Sequence, residues 1–200
     1  MGESIGVAIL AGGQSARMGA NKALVRVGGK PIIERIIERV EPLGDELMII
    51  TNTPADYAHL DLPVHTDLIP GKATLGGVYT AIAKTRHDHT LVVSCDAPFL
   101  NPDLLRYLID LRHDFDVVVP LNRDGYPQSM HTVYSKACLD PIRRRIDADR
   151  LKVIGFFPDV RVREVTTGEI DPFDPERLSF VNVNTPEDLE AARQIAARVG

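Results

Sequence analysis

The chain has 200 residues, of which 44% are apolar and 26% are charged, and its formal net charge is −5. This composition is typical of a globular protein with a sizeable core. The negative charge argues against general nucleic-acid binding, and no apolar run reaches the about 18 to 20 residues of a membrane span. Met1–Ser4 does not begin a secretory signal, and Cys95 and Cys138 show neither zinc nor disulfide spacing, so we expect a cytoplasmic protein.

In the first half of the chain, apolar strands alternate with amphipathic helices. Strands are predicted at Ile5–Leu10, Glu46–Thr51, Val64–Asp67 and Thr90–Ser94. Helices are predicted from Pro31 to Val40, from Thr74 to Thr85, and after the cap residue Asn101. The first helix has one isoleucine-rich stripe and places Arg35 on its outer face. This alternation indicates a mainly parallel sheet with helices on both faces.

The second half of the chain adds shorter elements. Strands are predicted at Asp116–Pro120, Gln128–Tyr134, Val160–Val165 and Phe180–Asn184, the third of them as an edge or half-exposed strand. Helices are predicted at Ala137–Ile146 and Lys152–Phe157, and from a capping box at Thr185–Asp188 to Val199. We therefore expect one α/β domain over residues 1–200, with a three-layer, Rossmann-like α/β/α fold and a mixed, mainly parallel central sheet.

A glycine-rich loop, Leu10 to Lys22, follows the first predicted strand. Its glycines allow backbone N–H groups to wrap an anion, and Arg17 and Lys22 can neutralise that anion. The spacing matches neither the P-loop nor the dinucleotide-binding fingerprint. The pattern predicts a phosphate-binding loop of another kind, and the alternative is a flexible turn with solvated charges.

Ligands of open α/β sheets bind beyond the carboxyl ends of the strands, where this chain places several polar side chains. Asn52, Asp67 and Asp96 follow the second, third and fourth strands. Asp96 is suited to hold Mg²⁺, which takes one or two carboxylates together with phosphate oxygens, although an aspartate there could instead cap a turn. Asp67 is a candidate to accept a hydrogen bond from a base or a ribose. The alternative is that it has no ligand and simply ends the third strand. Asn182 and Asn184 share one face of the last predicted strand.

Two further residues are assigned structural roles. Cys95 is interpreted as a small core residue, because no base lies beside it in the sequence. His131 lies inside a predicted strand, where a structural histidine is more common than a catalytic one.

The stretch Leu10–Lys22 resembles the signature loop of the nucleotidyltransferase superfamily. Within that superfamily the chain resembles the molybdenum cofactor guanylyltransferases, through Asp67–Gly77, Ser94–Leu100 and Phe180–Asp188, which occur in the family's order. The resemblance covers essentially the whole chain. It departs from the family at Asn21, where many members carry an aspartate, and this removes a possible salt bridge within the loop.

The resemblance implies a role for each matching residue. Leu10, Ala11 and Gly12 match the segment that contacts guanine and ribose. Gly13, Arg17 and Lys22 match the triphosphate-binding part. Asn52 and Asp67 match nucleotide contacts, and Asp96 matches the magnesium ligand. Asn182 and Asn184 match positions associated with the pterin substrate and catalysis.

The implied reaction is Mg²⁺-dependent transfer of GMP from GTP to the phosphate of the molybdopterin cofactor, with release of pyrophosphate. The expected partners are GTP, the molybdopterin cofactor, and molybdoenzyme apo-proteins or their chaperones, with no nucleic acid and no membrane. One alternative is a cytidylyltransferase or another nucleotidyltransferase with a different phosphate acceptor. The other is a non-catalytic carrier of the cofactor, which need not retain Arg17, Lys22 and Asp96 together.

Overall fold

The computed structural model describes residues 4–12 and 21–199. Its strands are β1 (Gly6–Leu10), β2 (Arg26–Val27), β3 (Lys30–Pro31), β4 (Glu46–Ile50), β5 (Val64–His65), β6 (His89–Ser94), β7 (Val117–Pro120), β8 (His131–Ser135) and β9 (Val162–Val165). β2 and β3 form a small antiparallel pair, and the other strands form one sheet in the order β5-β4-β1-β6-β8-β7-β9. Within this sheet β8 runs antiparallel to both of its neighbours, and the remaining pairs are parallel.

Helices cover both faces of the sheet. They are α1 (Ile32–Val40), α2 (Ala73–Lys84), α3 (Pro102–Asp110), α4 (Leu139–Asp147), α5 (Thr167–Ile170) and α6 (Pro186–Val199). One buried cluster joins α1, α3 and α6 to one face, and a second joins α2 and α4 to the other. The predicted three-layer α/β/α fold is confirmed. Within residues 4–12 and 21–199, every helix is too short or too polar to span a lipid bilayer.

The burial of both faces explains why β1 is apolar throughout. Its Val7 and Ile9 belong to the cluster with α1, whereas Ala8 and Leu10 belong to the cluster with α2. Successive side chains of a strand point to opposite faces, so a strand covered on both sides favours apolar residues at every position. Most of the polar site residues therefore lie where the strands end.

Three predicted elements differ from the structure. The predicted strand Phe180–Asn184 is wrong: Leu178–Phe180 is a 3₁₀ turn, and residues 181–184 belong to no strand. The Val183 N–H donates to the Asp96 carbonyl at 2.9 Å, and this contact is not extended into a ladder. The strand predicted from Gln128 begins only at His131, and the predicted helix Lys152–Phe157 is a 3₁₀ turn over Val153–Asp159. The edge strand is confirmed as β9, and the assignment of residues 1–200 to one domain stays a prediction.

Arg35 is buried, with 7% of its surface exposed, although the helical pattern predicts an outward position. Its guanidinium donates from Nη1 to the Val27 carbonyl at 3.3 Å and from Nε to the Pro98 carbonyl at 3.5 Å. It also lies over the Phe99 ring, 5.7 Å from the centroid. A buried cation needs such partners, and here they connect α1 to the β2–β3 turn and to the segment that follows Asp96.

Replacement of Gly28 with alanine tests this connection. Gly28 has φ +60°, and an added Cβ would lie 2.9 Å from Arg35 Nη1 and 3.3 Å from the Ala196 Cβ, so the guanidinium would have to shift and its hydrogen bond to the Val27 carbonyl would be strained. Gly29 is a matched control, since it has φ +79° and open space around its Cβ position. We expect Gly29→Ala to lose about 1 kcal/mol of unfolding free energy from backbone strain and Gly28→Ala about 2–3 kcal/mol in urea denaturation. Equal losses of unfolding free energy in Gly28→Ala and Gly29→Ala would show that displacing the Arg35 guanidinium costs no stability.

Candidate functional site

Lys22 and Asp96 form an ion pair at the carboxyl end of the sheet. Lys22 Nζ lies 2.5 Å from Asp96 Oδ2, and the two side chains are 15% and 11% exposed. Lys22 Nζ also donates to Asn184 Oδ1 at 3.0 Å. The second oxygen of Asp96, Oδ1, accepts a hydrogen bond from Ser94 Oγ at 2.5 Å. Both oxygens of a nearly buried carboxylate are thus held in place, which fixes the direction in which its charge acts.

Asn21 helps to hold Lys22 in position beside Asp96. Its Oδ1 accepts from the Ala23 N–H at 3.1 Å and so caps the 3₁₀ turn Lys22–Leu24. Its Nδ2 donates to Asp56 Oδ2 at 3.0 Å and to the Tyr57 hydroxyl at 3.1 Å. An aspartate at position 21 would face the Asp56 carboxylate with a second negative charge. Asn21 therefore suits the surroundings that this chain provides.

Asn184 is positioned by the start of α6. The Asp188 N–H donates to Thr185 Oγ1 at 3.1 Å, and the Thr185 N–H donates to Asp188 Oδ2 at 2.9 Å, which confirms the predicted capping box. The Asn184 N–H donates to the same carboxylate oxygen at 2.9 Å. The helix cap therefore fixes the backbone of the residue whose side chain contacts Lys22.

Asp67 is paired with Asn52. Asn52 Nδ2 donates to Asp67 Oδ2 at 2.8 Å, and the Asp67 N–H donates to Asn52 Oδ1 at 3.3 Å. On the next residue, the Leu68 N–H donates to the Thr80 hydroxyl of α2 at 2.9 Å. Asn52 thus holds Asp67 directly, and α2 holds the residue after it. The Asn52 amide contacts Asp67 Oδ2 and not Oδ1.

Gly77 brings α2 close to these residues. A Cβ at Gly77 would lie 3.2 Å from Leu10 Cδ1 and 3.8 Å from Asp67 Oδ1. The first distance is shorter than side chains usually allow. The glycine therefore lets the helix backbone approach the end of β1 and the Asp67 carboxylate without filling the space between them.

A cavity of about 570 Å³ lies between these groups, and we refer to it as the large cavity. Six of the predicted nucleotide-site residues line it: Leu10, Gly12, Lys22, Asn52, Asp67 and Asp96. Ala11 does not, because its side chain is buried in the core and its N–H donates to the Ile50 carbonyl at 2.8 Å. Gly13 and Arg17 lie outside the described residues. The cavity volume is within the range of small-molecule sites.

A second, small cavity of about 180 Å³ adjoins the first. Ser94, Asp96 and Met130 line both cavities. The remaining walls of the small cavity come from Pro127, Gln128, Ser129, His131 and Asn182. Asn182 and Asn184 therefore do not act together on one strand face: Asn182 lines the small cavity, and Asn184 contacts Lys22. Asp96 stands at the border between the two cavities.

His131 and Ser94 lie in this region without having been predicted as site residues. His131 is 2% exposed and packs edge-on against Phe180, with 5.4 Å between ring centroids. Burial lowers the pKa of His131 to about 4, and the nearby charges of Asp96 and Asp174 and the Ser179 backbone only partly oppose this effect. The ring is therefore neutral near pH 7. Pairing of β8 with β6, which no local pattern reveals, brings it to the site.

Cys95 remains a core residue. It is 3% exposed, and burial raises the pKa of its thiol to about 12. A protonated thiol is a weak nucleophile, so the structure agrees with the interpretation from the sequence.

An open, mainly parallel sheet binds its ligand at this edge, and a lysine paired with a carboxylate there is suited to phosphate charge rather than to covalent attack. Fold and site together define a nucleotidyltransferase, an enzyme. Residues 7–156 match the MobA-like NTP transferase domain, and the chain belongs to that family. The family resemblance predicted from the motifs is confirmed.

Relatives and solved structures agree with this assignment. A probable molybdenum cofactor guanylyltransferase of Pelotomaculum thermopropionicum is 39% identical over 94% of this chain and 91% of its own. A probable molybdenum cofactor guanylyltransferase of Carboxydothermus hydrogenoformans is 35% identical over 96% of this chain and 97% of its own. The crystal structure of molybdopterin-guanine dinucleotide biosynthesis protein A from Archaeoglobus fulgidus matches with TM-score 0.84 and 26% identity, over 96% of this chain and 99% of that one.

The neutral state of His131 predicts a pH dependence of stability. The unfolded chain binds a proton at this residue near pH 6.5 and the folded chain only near pH 4, so the folded state loses stability as the pH falls through this window. The loss amounts to roughly 3 kcal/mol. Urea denaturation between about pH 4 and 6.5 should show this component in the wild type and not in His131→Phe. Parallel pH profiles for the two proteins would contradict the assignment.

Proposed function

We propose that the protein transfers GMP from GTP to the phosphate of the molybdenum cofactor and releases pyrophosphate. The names of its relatives support this substrate pair, as does the name of the Archaeoglobus protein. The observation that carries the proposal is the Lys22–Asp96 ion pair, placed where the large and small cavities meet. Transfer of the product to molybdoenzyme apo-proteins or their chaperones, in the cytoplasm, belongs to the same proposal.

The chemistry requires no covalent enzyme intermediate. An oxygen of the acceptor phosphate forms a bond to the α-phosphorus of GTP, and the bond from that phosphorus to the bridging oxygen breaks. The leaving pyrophosphate takes the electron pair of that bond. Negative charge grows on the pyrophosphate, so Lys22 would turn from Asp96 toward it, and the Asn184 amide would help to direct the lysine. The remaining barrier is mostly one of positioning the two anions in line.

The residues present fit a magnesium ion. Lys22 Nζ already places one positive charge against Asp96 Oδ2. Among the residues described there is no group of three or more His, Cys, Asp or Glu side chains arranged for a metal. Magnesium commonly binds through one or two carboxylates together with substrate phosphate oxygens, so Asp96 would be its protein ligand. Bound there, the ion would neutralise phosphate charge and orient the triphosphate.

The large cavity divides into a phosphate end and a base end. Lys22 and Asp96 mark the first, beside Gly12, whose N–H would face the triphosphate. The Asn52–Asp67 pair marks the other end. The carboxylate of Asp67 would accept hydrogen bonds from the guanine or ribose, with Leu10 and Ala11 as backbone neighbours.

Replacement of Asp96 with asparagine tests the phosphate end. The variant keeps the shape of the side chain and removes its charge, so we expect pyrophosphate release with GTP, Mg²⁺ and molybdenum cofactor to slow roughly 10²- to 10³-fold. Asp103→Asn is the matched control, because Asp103 lies exposed on α3 and pairs with Arg106 there. An undiminished rate in Asp96→Asn would remove this residue from its role as metal ligand.

Thermal denaturation with each of the four nucleoside triphosphates and Mg²⁺ tests the base end. A ligand stabilises the folded state by mass action, so GTP should raise the melting temperature most. Asp67→Asn should reduce the GTP shift and raise the KM for GTP by about tenfold, through loss of a charged hydrogen bond. Equal shifts with GTP and CTP, or a larger shift with CTP, would indicate a different donor nucleotide.

A further inference from the structure

His131 carries two buried polar atoms that the fold does not satisfy. Neither Nδ1 nor Nε2 has a hydrogen-bond partner among the described residues, and both are shielded from water. The Ser179 backbone is close enough to raise the pKa of the ring through a weak hydrogen-bonding contact, and the Asp96 carboxylate raises it through its charge. Neither contact meets the geometry of a normal hydrogen bond. Leaving a buried polar atom unpaired costs stability. An apolar ring at this position would avoid that cost.

The small cavity that His131 lines is preformed. The Gln128 N–H donates to the Pro120 carbonyl at 2.8 Å, and the Gln128 carbonyl accepts from the His131 N–H at 3.0 Å. The Tyr134 hydroxyl donates to the Ser129 carbonyl at 2.7 Å. The turn between β7 and β8, which supplies Pro127, Gln128 and Ser129 to the lining, is therefore held by hydrogen bonds at both ends.

Apart from Pro127 and Met130 the lining of the small cavity is polar, and apart from Asp96 it is uncharged. Gln128, Ser129 and Asn182 offer amide and hydroxyl groups, both donors and acceptors. His131 adds an imidazole whose two nitrogens are shielded in this structure. The described residues that line it include no lysine or arginine. Such a surface suits the edge of a neutral nitrogen heterocycle and not a second phosphate.

We propose that His131 is a specificity-determining residue that hydrogen-bonds the pterin ring edge of the acceptor, seated in the small cavity. The inference rests on the proposed function, which supplies a pterin that bears a phosphate. Because the small cavity opens onto Ser94 and Asp96, a ring bound there directs its phosphate toward the large cavity. A rotation of the imidazole about its Cα–Cβ bond accompanies binding, since both nitrogens are otherwise shielded.

His131→Phe separates this role from a structural one. Phenylalanine preserves an aromatic ring against Phe180 and removes both nitrogens. We expect a melting temperature equal to or above that of the wild type, a KM for molybdenum cofactor at least tenfold higher, and an unchanged KM for GTP. His131→Gln, which restores one polar end, should recover part of the acceptor affinity. His113→Phe, at an exposed histidine, is the control.

A fall in melting temperature with an unchanged acceptor KM would overturn the proposal, as would equal losses for GTP and acceptor. If His131→Phe does not fold, wild-type protein labelled with ¹⁵N-histidine is titrated with a pterin monophosphate. The ring nitrogen signals of His131 should shift, and unmoved signals would also overturn the proposal. This titration involves no turnover. Pterin binding by a protein that fails to convert GTP would therefore refute the proposed reaction and leave the His131 site standing.

Discussion

The site depends on the ion pair between Lys22 and Asp96. The two residues are 74 positions apart, and Asn184, which also contacts Lys22, lies 162 positions away. Opposite charges attract more strongly where water is largely excluded, as it is here. The pair therefore draws the end of the glycine-rich loop, the end of β6 and the entry to α6 to one point. Side chains from three distant segments thus meet at a single ammonium group.

The sheet makes this convergence possible because its hydrogen bonding continues beyond the strands. The Cys95 N–H donates to the Leu10 carbonyl at 3.1 Å, and the Thr51 N–H donates to the His65 carbonyl at 2.9 Å. Residues just past the strand ends are thereby held in register with their neighbours. Asp96 gains a further contact through its carbonyl, which accepts from Val183 at 2.9 Å. A site assembled from loops acquires the precision of the sheet in this way.

Much of this architecture follows from local sequence. Apolar runs identify the buried strands, and the strand-end rule collects Asn52, Asp67 and Asp96 without knowledge of any contact. The rule fails where tertiary contacts decide. Alternation of Val183 with Asn182 and Asn184 is typical of a strand, but residues 181–184 belong to no strand, and the backbone of Val183 pairs with Asp96 through a single hydrogen bond.

Other features could not be predicted because their partners are distant in the chain. The buried position of Arg35 depends on the Val27 and Pro98 carbonyls. The helical pattern of α1 gives no information about these two groups, because both lie outside the helix. The suitability of Asn21 depends on Asp56. The sequence around His131 predicts only an ordinary strand residue. Its position at the site follows from the antiparallel pairing of β8 with β6. In each case a charged or polar group has a role set by a neighbour that the sequence does not place beside it.

The two cavities differ in charge, and Asp96 separates them. Lys22 and the Asn52–Asp67 pair lie on one side, and uncharged amides, a hydroxyl and a neutral imidazole lie on the other. A donor with three phosphates needs positive charge around it. The ring of an acceptor needs a matching shape and matching hydrogen-bond partners. A cationic surface in the small cavity would compete with Lys22 for the triphosphate. The unpaired nitrogens of His131 are consistent with this division. An apolar ring at position 131 would leave no polar atom unpaired, and the proposed contact with the acceptor ring gives the two nitrogens a role that folding alone does not supply.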